Sequence, residues 1–504
     1  MKKILFSAIF FLFFAKTFAQ TPVFISDSLE KYIETGMKDW QIPGVAVAII
    51  KDGKTVLMKG YGTKEMGKTD KIDENTLFMI GSNTKAYTAT SLAILENEKK
   101  LSLDDKIIKW LPDFKLYDAC ATQMATIRDM LCHRSGLETF QGDFTYWESN
   151  LTRKEVMQKF GKNKPAYDFR TRYGYCNAGF LTAGEVLSVA SGRTWEDNIR
   201  ERIFLPLKMT RSLALSAEAP KATNIAVPHS KFESVLTKIP YCLIDNLAPA
   251  GAISESVKDA ANWLIMQMDT GKFEGKQVFP KDVIQKTWAA NTIVSSRKSF
   301  LSPTQFGLYG LGWFLNDYAG KKVISHDGGV NGFVSTTCFL PEERLGIVVF
   351  TNTDANSFYT ALRLQIIDAY LKQPYKNYSK ILLDFDKKDQ EAEAKDLKTK
   401  REQIKKNAKL AMPLLSYVGK YENEVYGEIE IKDNFGTLEI LFQHHPNLTE
   451  KLESLGENKF MGTFSNPIYG IQSVPFTVKD GKIISVSIKV NDFVEYKPYI
   501  FVKK

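Results

Sequence analysis

The sequence has few of the side chains that bind transition metals or crosslink a chain. Among 504 residues there are only five cysteines and five histidines. The cysteines are odd in number and widely spaced, which predicts neither a zinc pattern nor a dense disulfide framework, although a single disulfide is compatible with their number. Adjacent His444 and His445 lack a third and a fourth ligand, so they do not predict a metal site. No metal or organic cofactor is expected.

Charge and long apolar runs are also scarce. A formal net charge of +9 is too dilute over 504 residues to predict nucleic-acid binding. Beyond residue 19 no apolar run is long enough to cross a membrane, so we expect no membrane span in the mature chain. A composition of 44% hydrophobic and 25% charged residues is that of globular protein, and the length is sufficient for two to three domains. The oligomeric state is not predicted.

The first 19 residues have the pattern of a secretory signal peptide. Lys2 and Lys3 precede an apolar run over 4–14, and small residues lead to Ala19, where we expect cleavage. No cysteine follows that site, so a lipid anchor there is not expected. The pattern therefore predicts an exported protein, periplasmic or secreted.

The chemistry is predicted to centre on Ser82 and Lys85. They are three residues apart, and the small and apolar residues after them recur at helical spacing, so both side chains should lie on one face near a helix N-terminus. A serine hydroxyl needs a base beside it, and a lysine in a dry site can lose its proton and act as that base. Ser-x-x-Lys is frequent by chance, so the motif needs support from elsewhere in the chain.

Two later segments could supply that support. Tyr175 and Asn177 are two residues apart before a helix, where a Tyr hydroxyl could transfer a proton and an Asn amide could hold a carbonyl. Further on, the glycines of His326-Asp327-Gly328-Gly329 would let a strand approach a substrate closely. The N–H of Gly329 could then join that of Ser82 in an oxyanion hole, the alternative being a plain bulge or edge. His133 is interpreted as a structural histidine near a helix end.

In this order and spacing, the three motifs resemble the serine β-lactamase-like family, which includes class C β-lactamases, D-alanyl-D-alanine carboxypeptidases and related esterases. The resemblance covers roughly residues 24–372. It implies that Ser82, Lys85 and Tyr175 are catalytic, and that Asn177, His326, Gly328 and Gly329 bind substrate. Class C β-lactamases have Lys-Thr-Gly where this sequence has His326-Asp327-Gly328. A mostly neutral imidazole favours a β-lactam carboxylate less than a lysine does, and we expect it to charge as the pH falls through about 6.5.

The fold class predicted is α+β, with an antiparallel sheet flanked by helices plus an all-helical region, followed by a small all-β barrel. The predicted domains are 20–372 for the hydrolase, 373–412 for a charged helical linker and 413–504 for the barrel, which resembles a lipocalin-like domain. The barrel strands are expected at 427–431, 437–442, 459–464, 474–478, 483–490 and 493–496. We expect the barrel to fold alone and residues 20–375 to keep the chemistry.

The leading hypothesis is an exported serine hydrolase that cleaves an amide or ester of a small molecule or peptide through an acyl-serine intermediate. A D-amino-acid peptidase, a carboxypeptidase or an esterase fits best. A β-lactamase is the alternative within the family. A non-catalytic penicillin-binding or wall-fragment sensor is the alternative from another class, although a binder has no need of the proton-transfer pair Lys85 and Tyr175.

Overall fold

The structure is a computed structural model that describes residues 21–406 and 409–504. The signal peptide predicted over 1–19 lies outside the described residues. An antiparallel sheet with its helices accounts for residues 21–371, and a long helix then leads to a closed barrel. No helix within the described ranges is both long enough and apolar enough for a membrane span.

The large sheet has eight strands, formed by the beginning and the end of the hydrolase region. They are β1 (Gly44–Lys51), β2 (Lys54–Gly62), β3 (Thr292–Ser295), β4 (Gly307–Tyr309), β5 (Phe314–Tyr318), β6 (Lys321–Val330), β7 (Phe333–Leu340) and β8 (Leu345–Thr351). Their spatial order is β2-β1-β8-β7-β6-β5-β4-β3, and every pair is antiparallel. The nearly all-apolar β8 lies between β1 and β7 and is buried along its length.

Helices cover both faces of this sheet. The longer ones are α1 (Leu29–Trp40), α2 (Thr84–Asn97), α4 (Asn177–Ser191), α5 (Val257–Met268), α6 (Phe358–Tyr370) and α7 (Tyr378–Lys405), and α3 (Ile127–Leu131) is a short helix between α2 and α4 in the chain. Successive residues of a strand point to opposite faces, so Val47 packs with α1 and α6 whereas Ala46 packs with α2 and α5. The shorter helices are Ile107–Trp110, Ala119–Met124, Asp143–Tyr146, Arg153–Phe160, Trp195–Ile199, Ala248–Gly251 and Lys281–Thr287.

The barrel consists of eight antiparallel strands that close on themselves. They are β9 (Gly419–Asn423), β10 (Gly427–Asn434), β11 (Thr437–Phe442), β12 (His445–Gly456), β13 (Lys459–Phe464), β14 (Ile471–Lys479), β15 (Lys482–Ile488) and β16 (Tyr499–Lys503). The α+β class and the all-β barrel are therefore confirmed. The predicted strand at 493–496 is wrong, because Val494 and Glu495 donate their N–H groups to the Asn491 carbonyl and form a turn.

Three barrel strands, β9, β12 and β16, were missed by the sequence prediction. The first two are rich in charged or polar residues and lack an apolar run, and only alternate positions of β12 are buried. The charged segment before the barrel is helical as predicted, although α7 begins at Tyr378, where the Asn377 side chain accepts from the N–H of Lys380. The predicted domain boundaries remain predictions.

Candidate active site

Ser82 lies on a tight turn that leads into α2. Gly81–Asn83 form a 3₁₀ turn and α2 follows at once. Gly81 has a φ of +52°, and a Cβ there would lie 2.9 Å from the nitrogen of Gly329. Only glycine tolerates both conditions. The turn that carries Ser82 is thereby packed against β6, with the backbones of Gly81 and Gly329 side by side.

Lys85 is completely buried one helical turn further on. Its Nζ donates to Ser82 Oγ at 3.0 Å, to Asn177 Oδ1 at 2.7 Å and to the carbonyl of Ala250 at 2.8 Å. Burial lowers the pKa of Lys85 to about 7, and the nearby Asp143 carboxylate opposes that shift. A lysine with this pKa is in part an uncharged amine at neutral pH, and its nitrogen is already in contact with the serine hydroxyl.

Tyr175 and Asn177 come from the start of α4 and close the other side of the site. Asn177 is the first residue of the helix. The Tyr175 ring lies 4.6 Å from Lys85 Nζ, and its hydroxyl shares a hydrogen bond with Ser82. Burial raises the pKa of Tyr175 far above its usual value, so the phenol is protonated at neutral pH. The structure thus brings the four predicted residues of the first two motifs together.

Asp143 stands behind Asn177 and was missed by sequence reasoning. Its Oδ2 accepts from Asn177 Nδ2 at 2.6 Å, which leaves Asn177 Oδ1 turned toward Lys85. Asp143 is 2% exposed, and burial raises its pKa to about 7. A lone aspartate outside any motif carries no sequence signal. The Ala250 carbonyl carries none either, because every residue has a carbonyl.

His326 lies on β6 as predicted, but its environment corrects the expectation about its charge. Nδ1 donates to the Asp327 carbonyl at 2.6 Å and Nε2 accepts from the Tyr309 hydroxyl at 3.0 Å, because a carbonyl can only accept. The side chain is 1% exposed, and burial with the Lys85 charge lowers the pKa of His326 to about 3. The imidazole therefore does not charge near pH 6.5.

The glycines after His326 serve close packing within the protein. A Cβ on Gly328 would lie 1.8 Å from the carbonyl oxygen of Ile80, so β6 approaches the strand segment that leads to Ser82. The sequence interpretation assigned this freedom to approach of a substrate. For Gly328 the partner is the backbone before the nucleophile instead.

The other histidines have structural contacts. His133 Nδ1 accepts from the N–H of Cys176 at 3.0 Å, and its ring stacks on Tyr175 at a centroid distance of 4.3 Å. In the barrel, His445 Nε2 donates to the Trp147 carbonyl at 2.8 Å. Throughout the described part of the chain, no group of three or more His, Cys, Asp and Glu is arranged to hold a metal ion. The five cysteines, all of which are described, are free thiols, with Cys120 exposed and the others buried.

The fold and the arrangement of Ser82, Lys85 and Tyr175 place the protein in the class of serine β-lactamase-like proteins. Comparison with known families identifies the family. The family model described as Beta-lactamase matches residues 29–371, and the chain belongs to this family. A second model, for a domain of unknown function (DUF3471), matches residues 403–503.

Three similar proteins extend this assignment. An unguisins hydrolase of Aspergillus campestris is 28% identical over 362 residues, which are 69% of this chain and 66% of that protein, slightly less than two thirds of its length. The octameric penicillin-binding protein homologue of Pyrococcus abyssi is 22% identical with a TM-score of 0.60, covering 95% of this chain and 100% of that one. The D-stereospecific amidohydrolase of a Streptomyces species is 20% identical with a TM-score of 0.54, covering 68% and 97%. The two solved structures establish the fold alone.

Proposed function

We propose that this protein is an exported serine hydrolase that cleaves an amide or ester through an acyl-serine intermediate. The observation that carries the proposal is the contact of Ser82 Oγ with a fully buried Lys85 whose pKa lies at about 7. Such a lysine can take the serine proton at neutral pH, which an exposed lysine cannot do. Export rests on the signal pattern of residues 1–19.

The two proton-transfer groups have different tasks. Uncharged Lys85 accepts the proton from Ser82 as the hydroxyl oxygen attacks the substrate carbonyl. Tyr175 stays protonated because its pKa is raised, so it delivers a proton to the leaving group and regains one from the Lys85 side of the site. The N–H groups of Ser82 and Gly329 hold the oxyanion, and Asn177 orients Lys85 and the substrate.

The proposed substrate is a D-amino-acid peptide or a short ester. The neutral His326 offers no fixed positive charge to a β-lactam carboxylate, which disfavours the β-lactamase alternative. A similar fold in a D-stereospecific amidohydrolase and similarity to a hydrolase of unguisins agree with amide cleavage. No cofactor is invoked.

A substrate screen with intact-mass spectrometry tests the proposal. The mature protein is incubated with a D-alanyl-D-alanine peptide, p-nitrophenyl acetate and nitrocefin, and both turnover and a covalent adduct are measured. Ser82→Ala should abolish both, a loss on the order of 10⁴-fold or more. Ser91→Ala is the matched control, because Ser91 is buried in the same helix and has no hydrogen-bond partner in the described structure. An adduct without turnover would favour the sensor alternative, and an adduct on Ser82→Ala would move the nucleophile elsewhere.

A further inference from the structure

The connection between β15 and β16 of the barrel reaches the hydrolase cleft. We call Asn491–Tyr496 the barrel turn. Its N-terminal end is fixed, since the N–H of Asn491 donates to the Tyr469 carbonyl at 3.0 Å, and the N–H groups of Val494 and Glu495 donate to the Asn491 carbonyl at 2.9 and 3.2 Å. Val494 packs in the barrel core. The barrel turn is therefore a rigid part of the barrel, and it can hold a side chain at a defined place.

Phe493 of the barrel turn lies on Gly329. A Cβ placed on Gly329 would be 3.1 Å from Phe493 Cε2 and 3.2 Å from Cζ, which is closer than nearly all real contacts of that kind. Apart from its two neighbours in the chain, no other side chain among the described residues approaches that position as closely. The aromatic ring thus covers the backbone segment beside Ser82 where a substrate carbonyl would be held.

A second residue of the barrel turn, Glu495, binds the backbone around Asp143. Glu495 Oε1 accepts from the N–H of Gly142 at 2.8 Å and Oε2 accepts from that of Phe144 at 3.0 Å, so the carboxylate binds the backbone on both sides of Asp143. Phe144 itself belongs to the barrel core and stacks on His445 at 4.9 Å.

Aromatic contacts also connect the barrel turn to the catalytic residue Tyr175. The Tyr496 ring lies 5.3 Å from that of Phe140, which lies 5.5 Å from Tyr175. The barrel turn therefore contacts three parts of the site, namely the Gly329 strand, the Asp143 segment and the Tyr175 neighbourhood.

We propose that the barrel turn forms one wall of the substrate cleft, in which Phe493 is a specificity-determining residue that admits small acyl groups and excludes bulky ones, while Glu495 is a positioning residue for the Asp143 segment. The proposal rests on the proposed function and deepens it. The preferred substrates are accordingly amides or esters with little bulk beside the scissile carbonyl. The barrel turn is more than 100 residues away in sequence from each of the three parts of the site that it contacts.

Phe493→Ala tests the specificity claim. kcat/KM is measured for p-nitrophenyl acetate and for p-nitrophenyl phenylacetate, and the ratio of the bulky to the small ester is compared between variant and wild type. Removing the ring should raise that ratio about tenfold or more, which is the usual effect of opening an apolar pocket. Phe435→Ala is the matched control, because Phe435 is a fully exposed phenylalanine of the same barrel.

The outcomes separate this inference from the proposed function. If the wild type turns over p-nitrophenyl acetate and Ser82→Ala does not, the hydrolase function stands. A ratio of the bulky to the small ester that is unchanged or lower in Phe493→Ala then contradicts the proposed role of Phe493. If the wild type shows neither turnover nor a covalent adduct with any of the probes, the function and the inference both fail. Far-UV circular dichroism and thermal melting of each variant show whether a changed ratio reflects misfolding.

Glu495→Gln tests the positioning claim. Glutamine keeps the volume but offers one acceptor oxygen where the carboxylate offers two, and its NH₂ group would face an N–H that needs an acceptor. A displaced Asp143 segment should lower kcat for p-nitrophenyl acetate about tenfold or more, with KM changed less than about twofold, because misplacement impairs chemistry more than binding. An unchanged kcat, or a fall explained entirely by a lower melting temperature, overturns the positioning role.

Discussion

Lys85 and Lys159 lie in different regions of the molecule, and both have a lowered pKa but different neighbours. Burial lowers the pKa of Lys85 to about 7 and that of half-buried Lys159 to about 8. Both donate to backbone carbonyls, Lys85 to Ala250 and Lys159 to Val425 and Tyr426 of the barrel at 2.9 and 2.7 Å.

Only Lys85 also contacts a serine hydroxyl, through the three-residue spacing on α2. A lowered pKa therefore does not by itself identify a catalytic lysine, because the pKa of Lys159, which contacts the barrel, is lowered as well. The nucleophile beside the amine distinguishes the two sites.

The largest expected effect separates the two lysines. Lys85→Met should lower kcat/KM for the best substrate of the screen by about 10²–10⁴-fold, because Ser82 loses its base. Lys159→Met should change kcat/KM less than about tenfold. It should instead lower the free energy of unfolding by about 1–3 kcal/mol, since two carbonyls lose their donor. Equal losses of activity in two folded variants would contradict the distinction.

A second comparison concerns two phenylalanines, one inside the barrel and one on its surface. Phe144→Ala should lower the free energy of unfolding by about 3–5 kcal/mol, because a completely buried ring leaves a cavity between the domains. Phe435→Ala should have little effect. Thermal or denaturant unfolding measures both, and similar stabilities would show that the barrel does not depend on Phe144.

The place of Phe144 also bears on the expectation that residues 20–375 keep the chemistry. Without the barrel, the Phe144 ring would be exposed, and the N–H groups of Gly142 and Phe144 would lose Glu495 as their acceptor. The contacts do not support independence of the two parts. The sequence-based argument used the separate β pattern and the charged helix, and neither feature carries information on what the barrel touches.

The motif residues were predictable because local spacing determines their geometry. Ser82 and Lys85 share a helix face, and Asn177 starts a helix two residues after Tyr175, so each pair follows from secondary structure alone. The sheet and the barrel were predictable from apolar alternation, except where polar strands such as β12 hide it.

The rest of the site depends on contacts between distant segments. Asp143 belongs to the site because it contacts Asn177, and Phe493 because it contacts Gly329. No pattern in the sequence connects the two residues of either pair. The environment of His326 is a further case, because the Tyr309 hydroxyl that it accepts from lies on another strand. The residue type alone indicated an imidazole with an ordinary pKa, whereas burial lowers the pKa of His326.

A smaller effect concerns the two aspartates Asp143 and Asp113. If neutral Lys85 is the base, activity rises with pH through about 7, where the folded protein loses that proton. Burial raises the pKa of Asp143 to about 7, so the carboxyl group is partly ionised where this limb falls, and its negative charge raises the pKa of Lys85. Asp143→Asn removes that charge, so it should lower the pKa of Lys85 and move the acid limb of the kcat/KM profile to lower pH. Asp113→Asn should leave the limb in place, because Asp113 is 89% exposed. A limb that moves upward in Asp143→Asn would contradict Lys85 as the base.

The smallest expected effect concerns His326 in the wild type. We compare kcat/KM for nitrocefin, which has a carboxylate, with kcat/KM for p-nitrophenyl acetate, which has none, across roughly pH 5.5 to 8. Ionisation of Lys85 affects both substrates and cancels in the ratio. Because the pKa of His326 is lowered to about 3, the imidazole stays neutral over this range, and the ratio should change less than about twofold.

His326→Lys provides the comparison, since a fixed charge at this place should favour the carboxylate by roughly 1.5–3 kcal/mol, about 10- to 100-fold in the ratio. A wild-type ratio that rises as the pH falls through about 6.5 would mean that the imidazole does acquire a proton. The Tyr309 hydroxyl would then have to turn away from Nε2, because a protonated imidazole nitrogen cannot accept its hydrogen bond. The expected result is a nitrocefin-to-acetate ratio that does not change with pH in the wild type and is higher in His326→Lys. Because the imidazole is titratable in principle, this result would mean that burial keeps it neutral.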